Sequence, residues 1–253
     1  MGVKSMAKGN KRYYFFDELR GFFIILICLY HLMYDLAFIY PTRLGLSLYE
    51  KFGGYSILLA SPFIIICGVS CFFSRSNLKR GLILIGISAV ITIATLYFLP
   101  DSPIYFGILH LLGFSVLIFI VLKKVIMKTN SAVGIFISAL LFALTFNLPR
   151  GFLGFGIYKL KIPEFLYNLK YLLPLGFFPK DFSTADYYPL IPFFFLFIIG
   201  AFIGKIVTNK KSLPLIEKNL IPPLSFIGRR TLIIYILHQP IFLLILYVIF
   251  KIF

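Results

Sequence analysis

The chain has 253 residues, 60% of them hydrophobic and 13% charged, with a formal net charge of +16. A soluble domain cannot hide that much apolar surface, and the apolar residues form continuous runs of spanning length, which excludes the alternating pattern of a β-barrel. The basic residues sit in short clusters between these runs, so the charge reads as membrane topology and no nucleic-acid partner is expected.

The expected fold is an all-α, polytopic transmembrane helical bundle, a single integral membrane domain over residues 1–253. Seven spans are expected, at about 19–39, 55–74, 81–99, 104–122, 131–148, 187–207 and 231–251, with eight as the alternative count. The stretch MGVKSMAKGNKR is basic and runs straight into the first span, as a signal anchor does. Position 6 is Met, so Gly2 is not a myristoylation site. With the N-terminus in the cytoplasm, Lys4, Lys8, Lys11 and Arg12 lie inside. So do Arg75, Lys79 and Arg80, then Lys123, Lys124 and Lys128, and last Lys205, Lys210, Lys211, Lys218, Arg229 and Arg230. Short outside loops carry little positive charge, so the positive-inside rule gives a cytoplasmic N-terminus and an extracytoplasmic C-terminus, with the plasma (inner) membrane as the expected location. Segment 149–186 holds Pro149, Pro163, Pro174 and Pro179 and no run of spanning length, so it is expected as an extracytoplasmic loop or a re-entrant piece. Cys28, Cys67 and Cys71 fall within spans at irregular spacing and read as small packing residues.

The first span carries Asp17, Arg20, His31 and Asp35. At 100° per residue, with His31 at zero, Asp17 and Asp35 fall about 40° to one side and Arg20 about 20° to the other, while Glu18 points elsewhere. Lipid would penalise each of these groups by roughly 2.5–3.5 kcal/mol near the bilayer centre, so the stripe is expected to face protein or water. His31 and Asp35 lie one turn apart, which lets the carboxylate hold the imidazole as a general base. The alternative is a buried pair that only fixes packing. Asp17 and Arg20 either pair with each other or present the guanidinium to a phosphate or carboxylate.

His110 lies near the outer end of the fourth span and His238 in the inner half of the last. Gln239–Pro240 follows and interrupts the helix ladder, freeing carbonyls to line a cavity. The depths of the three histidines allow them to meet around one cavity, and equally each alone can be a satisfied packing residue. No histidine pair has i, i+3 or i, i+4 spacing, so no metal is expected. Arg229 and Arg230 open the last span as positive-inside anchors or as part of a basic mouth for a nucleotide-bearing molecule. There is no glycine-rich phosphate loop.

The run RYYFFDELRGFFIILICLYHLMYDL, with Asp17, Arg20, Gly21, His31 and Asp35, resembles the opening of bacterial membrane proteins related to heparan-alpha-glucosaminide N-acetyltransferase. IYFGILHLLG around His110, DYYPLIPFFFLFIIGAFIG from Asp186 and IGRRTLIIYILHQPI around His238 match in the same order. The resemblance implies transfer of an acyl (acetyl) group from cytoplasmic acyl-CoA, as co-substrate, to a sugar or cell-envelope acceptor. His31 and Asp35 would then be catalytic. Asp17, Arg20 and Arg229 would bind the acyl-CoA, and His110, His238 and Gln239 would line the cavity. Two other classes use the same polar stripe or none of it: a transporter or channel with an Asp/His proton path, and a non-catalytic membrane partner protein.

Overall fold

The computed structural model describes residues 12–101, 103–179, 181–210 and 212–252. Lys4, Lys8, Lys11 and Lys211, expected as topological anchors, lie outside the described residues, as do Gly2 and Ser102 of the Pro–Asp–Ser–Pro turn. In chain order the helices are α1 (Tyr14–Tyr34), α2 (Arg43–Phe52), α3 (Ser56–Ser70), α4 (Asn77–Phe98), α5 (Ile108–Lys128) and α6 (Ser131–Thr145). A two-stranded hairpin follows, β1 (Phe152–Phe155) and β2 (Tyr158–Lys161), and then α7 (Leu190–Asn209), α8 (Pro214–Glu217), α9 (Pro222–Gly228) and α10 (Thr231–Tyr247). Seven helical stretches are long and apolar enough to cross a membrane: Tyr14–Ile39, Arg43–Ser70, Asn77–Phe98, Ile108–Lys128, Ser131–Arg150, Leu190–Asn209 and Thr231–Lys251. The protein is an all-α, polytopic integral membrane protein, as its apolar runs predict.

The described residues form two compact units, 12–63 with 212–252, and 64–210; the boundary falls inside α3, just after Pro62.

In the first unit α1 packs against both α9 and α10. The contact with α9 is set by two glycines. A Cβ on Gly21 would lie 2.0 Å from the Leu224 carbonyl oxygen, and one on Gly228 only 1.7 Å from that of Asp17. The loop between the sixth and seventh spans therefore contains a helix seated on α1. Its first turn begins Pro222–Pro223, which offer no N–H groups, so the nearest donors are the amides of Leu220 and Ile221. Both donate to one oxygen of Glu18, at 2.6 and 2.8 Å. Glu18, off the polar stripe, is a buried carboxylate that ties this loop to α1. Beyond Tyr34 the helix widens into a π-helical turn over Asp35–Ile39, closed by the Tyr40 amide on the Asp35 carbonyl. Thr42 caps α2 by accepting from the Gly45 amide, and its hydroxyl donates to the Leu36 carbonyl.

In the second unit α7 is the buried helix, and it carries Gly200 and Gly204 four residues apart. A Cβ on Gly200 would meet the Ile65 carbonyl at 1.9 Å and one on Gly68 of α3 the Phe197 carbonyl at 2.1 Å, the close backbone approach that small residues permit between membrane helices. α5 is fixed at both ends. The Ile108 amide donates to the Asp186 carboxylate at 3.0 Å, so a negative charge from the segment before α7 sits on the positive end of α5. At the other end the Lys205 ammonium of α7 donates to the carbonyls of Ile126, Met127 and Thr129 at 3.1, 2.9 and 2.6 Å. Lys205, expected only as a topological anchor, thus also caps a helix. Arg80 turns its guanidinium onto the Cys67 sulfur at 3.0 Å.

Among the described residues, segment 149–186 holds no spanning helix beyond the end of Ser131–Arg150. It folds as the β1–β2 hairpin followed by 3-10 turns over Glu164–Asn168 and Lys170–Leu175. Tyr167 donates to the Leu148 carbonyl, and Tyr187 donates to that of Leu173 at 2.6 Å. Burial raises the Tyr187 phenol above its ordinary pKa, which keeps it a donor.

Candidate functional site

The polar residues of the first span form two clusters, one near its start, where α9 packs, and one near its end against α10. About 21 Å separates them along α1, from the 14 residues between Asp17 and His31 at 1.5 Å each.

Asp17 anchors the first cluster. Its two oxygens accept from Arg20 at 2.6 Å and from Arg12 at 3.0 Å, and the carboxylate is buried. Gly228 lies against the Asp17 backbone, which brings the exposed Arg229 to this same end of α1. Arg230 lies over the Phe226 ring, 3.7 Å from its centroid, and donates to the Phe226 carbonyl at 3.3 Å. Asp17, Arg20 and Arg229 thus share one end of the unit.

The second cluster joins α1 to α10. The rings of His31 and His238 lie 4.9 Å apart between centroids, inclined at 57°. One turn on, the Gln239 side-chain amide donates to Asp35 at 2.7 Å, and Asp35 is fully buried. The expectation that Asp35 holds the His31 imidazole is therefore corrected. The carboxylate is engaged by Gln239, because the helix widens at Asp35 and α10 supplies a closer donor; its second oxygen has no partner among the described residues.

The tautomer of His238 follows from its contacts. Nδ1 lies 2.7 Å from the Tyr235 carbonyl, which can only accept, so Nδ1 carries the proton and Nε2 the lone pair. Nε2, the free Asp35 oxygen and the Gln239 side-chain oxygen are all buried and without partners among the described residues. All three are acceptors. A buried acceptor left unpaired costs about 1–3 kcal/mol, so this arrangement is suited to a group that brings N–H or O–H donors. Pro240 sits just beyond, inside α10, and removes the amide that would bond to the Ile236 carbonyl.

His110 belongs to the other unit and has a different part. The Gly107 amide donates to its Nδ1 at 3.2 Å, so its proton is on Nε2, which lies 3.3 Å from the Thr92 hydroxyl. That hydroxyl donates in turn to the Ile104 carbonyl at 2.7 Å. Both ring nitrogens are satisfied and the ring stacks on Phe106, so the imidazole closes the first turn of α5. Among the described residues no three His, Cys, Asp or Glu side chains are grouped to hold a metal ion.

Two carboxylates that organise these elements are not singled out by the sequence. Glu18 falls off the stripe, and its only signal is the proline pair that opens α9. Asp186 contacts a helix 78 residues away in the chain, which no local pattern reveals.

The family model for the catalytic domain of heparan-alpha-glucosaminide N-acetyltransferase matches residues 12–240, nearly the whole chain. The chain belongs to this acetyltransferase family. No curated protein and no solved structure matches it. The family match begins at Arg12, just before Asp17, and ends at Pro240, just past Gln239, so both polar clusters of the first unit fall within the matched residues.

Proposed function

We propose that the protein is a membrane acyltransferase whose transfer site is the cluster of His31, Asp35, His238 and Gln239. It would move an acyl (acetyl) group from cytoplasmic acyl-CoA to an amine or hydroxyl of a sugar or cell-envelope acceptor. The observation that carries this reading is the set of three buried, unpartnered acceptors: His238 Nε2, one Asp35 oxygen and the Gln239 oxygen. An acceptor substrate presents the N–H or O–H groups that would satisfy them.

In this reading His238 Nε2 takes the proton from the attacking amine or hydroxyl, and the Tyr235 carbonyl keeps the ring in the tautomer that can do so. The acceptor forms its bond to the thioester carbonyl carbon, the carbon–sulfur bond breaks, and the proton passes to the departing CoA sulfur. His31, in ring contact with His238, is the second acid–base group. Asp35, positioned by Gln239, offsets the positive charge that develops on the imidazole pair. Arg20, held in place by Asp17, and Arg229 receive the phosphates of CoA at the other end of α1. The separation of about 21 Å between the clusters suits an extended molecule with phosphates at one end and a thioester at the other.

Acyl-CoA binding tests this directly. Purified protein is expected to gain thermal stability as acyl-CoA concentration rises, and Arg229→Gln is expected to weaken that gain. No stabilisation at any concentration, together with proton or solute flux through reconstituted protein, would replace this reading with a transporter.

A further inference from the structure

The β1–β2 hairpin has two unlike faces, and its pairing register shows how they arise. Phe155 pairs with Tyr158 and Leu153 with Leu160, while Gly154 pairs with Lys159 and Phe152 with Lys161. Side chains alternate along a strand and directly paired residues share a face. Leu153, Phe155, Tyr158 and Leu160 therefore make one apolar face. The other carries Lys159 and Lys161, with the Lys159 ammonium 4.8 Å from the centre of the Phe152 ring. The apolar face is open: Phe155 is 54% exposed, Tyr158 80% and Leu160 68%, and Ile157 at the turn reaches 89%.

The hairpin is held where a span ends. β1 packs against α6 and starts two residues after Arg150, the last residue of the fifth spanning stretch. The Asn147 side chain donates to the Gly154 carbonyl at 3.3 Å, and the Ile162 amide donates to that of Gly151 at 2.9 Å. Each strand is four residues long, about 13 Å, so the hairpin cannot travel far from the bilayer boundary at which α6 stops. An isolated two-stranded hairpin is marginal in water and an open apolar sheet face is adhesive, so something must cover this one.

We propose that the hairpin is an interfacial anchor, with Leu153, Phe155, Ile157, Tyr158 and Leu160 seated in the boundary between lipid headgroups and acyl chains. Lys159, on the opposite face, stands toward anionic headgroups, beside Lys161, whose exposed ammonium lies 3.2 Å from the Glu164 carboxylate. The position at the end of a span supplies the apolar layer, and the basic face complements the phosphates above it. Tyr158 takes the interfacial place that Trp often fills in membrane proteins, in a chain that has no Trp.

The lack of Trp makes the test direct. Ile157→Trp, Tyr158→Trp and Lys159→Trp each create a single-tryptophan reporter in the full-length protein, reconstituted in nanodiscs with and without phosphatidylglycerol. Tryptophan at 157 and 158 is expected to emit at shorter wavelength, to lose intensity with brominated lipids and to resist aqueous acrylamide. Tryptophan at 159 is expected to show the reverse order of quenching. Lys159→Gln with Lys161→Gln, placed on the Tyr158→Trp background, is expected to remove the extra blue shift given by phosphatidylglycerol. Emission at 157 and 158 that acrylamide quenches and brominated lipid does not would overturn the proposal, because the face would be in water. Protection from both quenchers would overturn it too, because the cover would then be protein, a second copy included.

Discussion

Gln239 reaches from α10 to donate its side-chain amide to Asp35, in the π-helical turn that continues α1, across 2.7 Å, and Asp35 is fully buried there. This polar link between the first and last spans sits one turn from the ring contact of His31 with His238. Removing the donor leaves the Asp35 carboxyl without the one hydrogen bond that Gln239 supplies. Gln239→Leu is expected to cost about 1–3 kcal/mol, read as a lower unfolding temperature in nanodiscs. The double variant Asp35→Leu with Gln239→Leu is expected to recover much of it, since an apolar pair replaces a half-satisfied polar one. A Gln239→Leu protein as stable as the parent would show that the bond contributes nothing.

Glu18 ties the loop before α9 to α1 through the amides of Leu220 and Ile221. Glu18→Ala is expected to lose about 1–3 kcal/mol and to speed hydrogen exchange at those two amides. Glu18→Gln keeps an acceptor oxygen in place and is expected to lose less. Equal exchange rates in all three proteins would remove the link.

The α1–α9 contact depends on the absence of side chains at Gly21 and Gly228. Gly228→Ala places a methyl group where the Asp17 carbonyl already stands, 1.7 Å away. The expected cost is about 1–3 kcal/mol, from displacing backbone, and acyl-CoA binding is expected to weaken as Arg229 moves from Asp17. Gly86→Ala is the control: nothing lies within 4 Å of the added methyl, so yield and stability should hold or improve.

Lys205 caps the end of α5 with one ammonium on three carbonyls. Lys205→Met keeps the stem and removes the charge, with an expected loss of about 1.5–3 kcal/mol by chemical or thermal unfolding. Retained stability would reduce Lys205 to the anchor role that its loop position implies.

Composition alone makes the spans legible, because each is an apolar run too long for a soluble core. The stripe on α1 is legible too, since helical spacing puts Asp17, Arg20, His31 and Asp35 on one side. Partners are not. Spacing suggests that Asp35 serves His31, but the π-helical turn and the proximity of α10 give it to Gln239. Depth places His238 near His31, and the two rings are in contact. Depth does not reveal that the Gly107 amide and the Thr92 hydroxyl hold the His110 ring. Depth fixes a residue's height in the bilayer and leaves its neighbours open. α9 escapes a sequence reading because seven residues between prolines and a glycine read as loop, and only its packing on α1 makes it an element.

The most direct test is transfer of labelled acetyl from acetyl-CoA to membrane acceptors in proteoliposomes, measured per folded molecule. His31→Ala and His238→Ala are each expected to lower turnover by about 10²–10⁴-fold, the usual contribution of acid–base catalysis, while His110→Gln, which touches only a helix cap, keeps it. Undiminished transfer by the His31 and His238 variants would contradict the assignment of chemistry to the contact between α1 and α10.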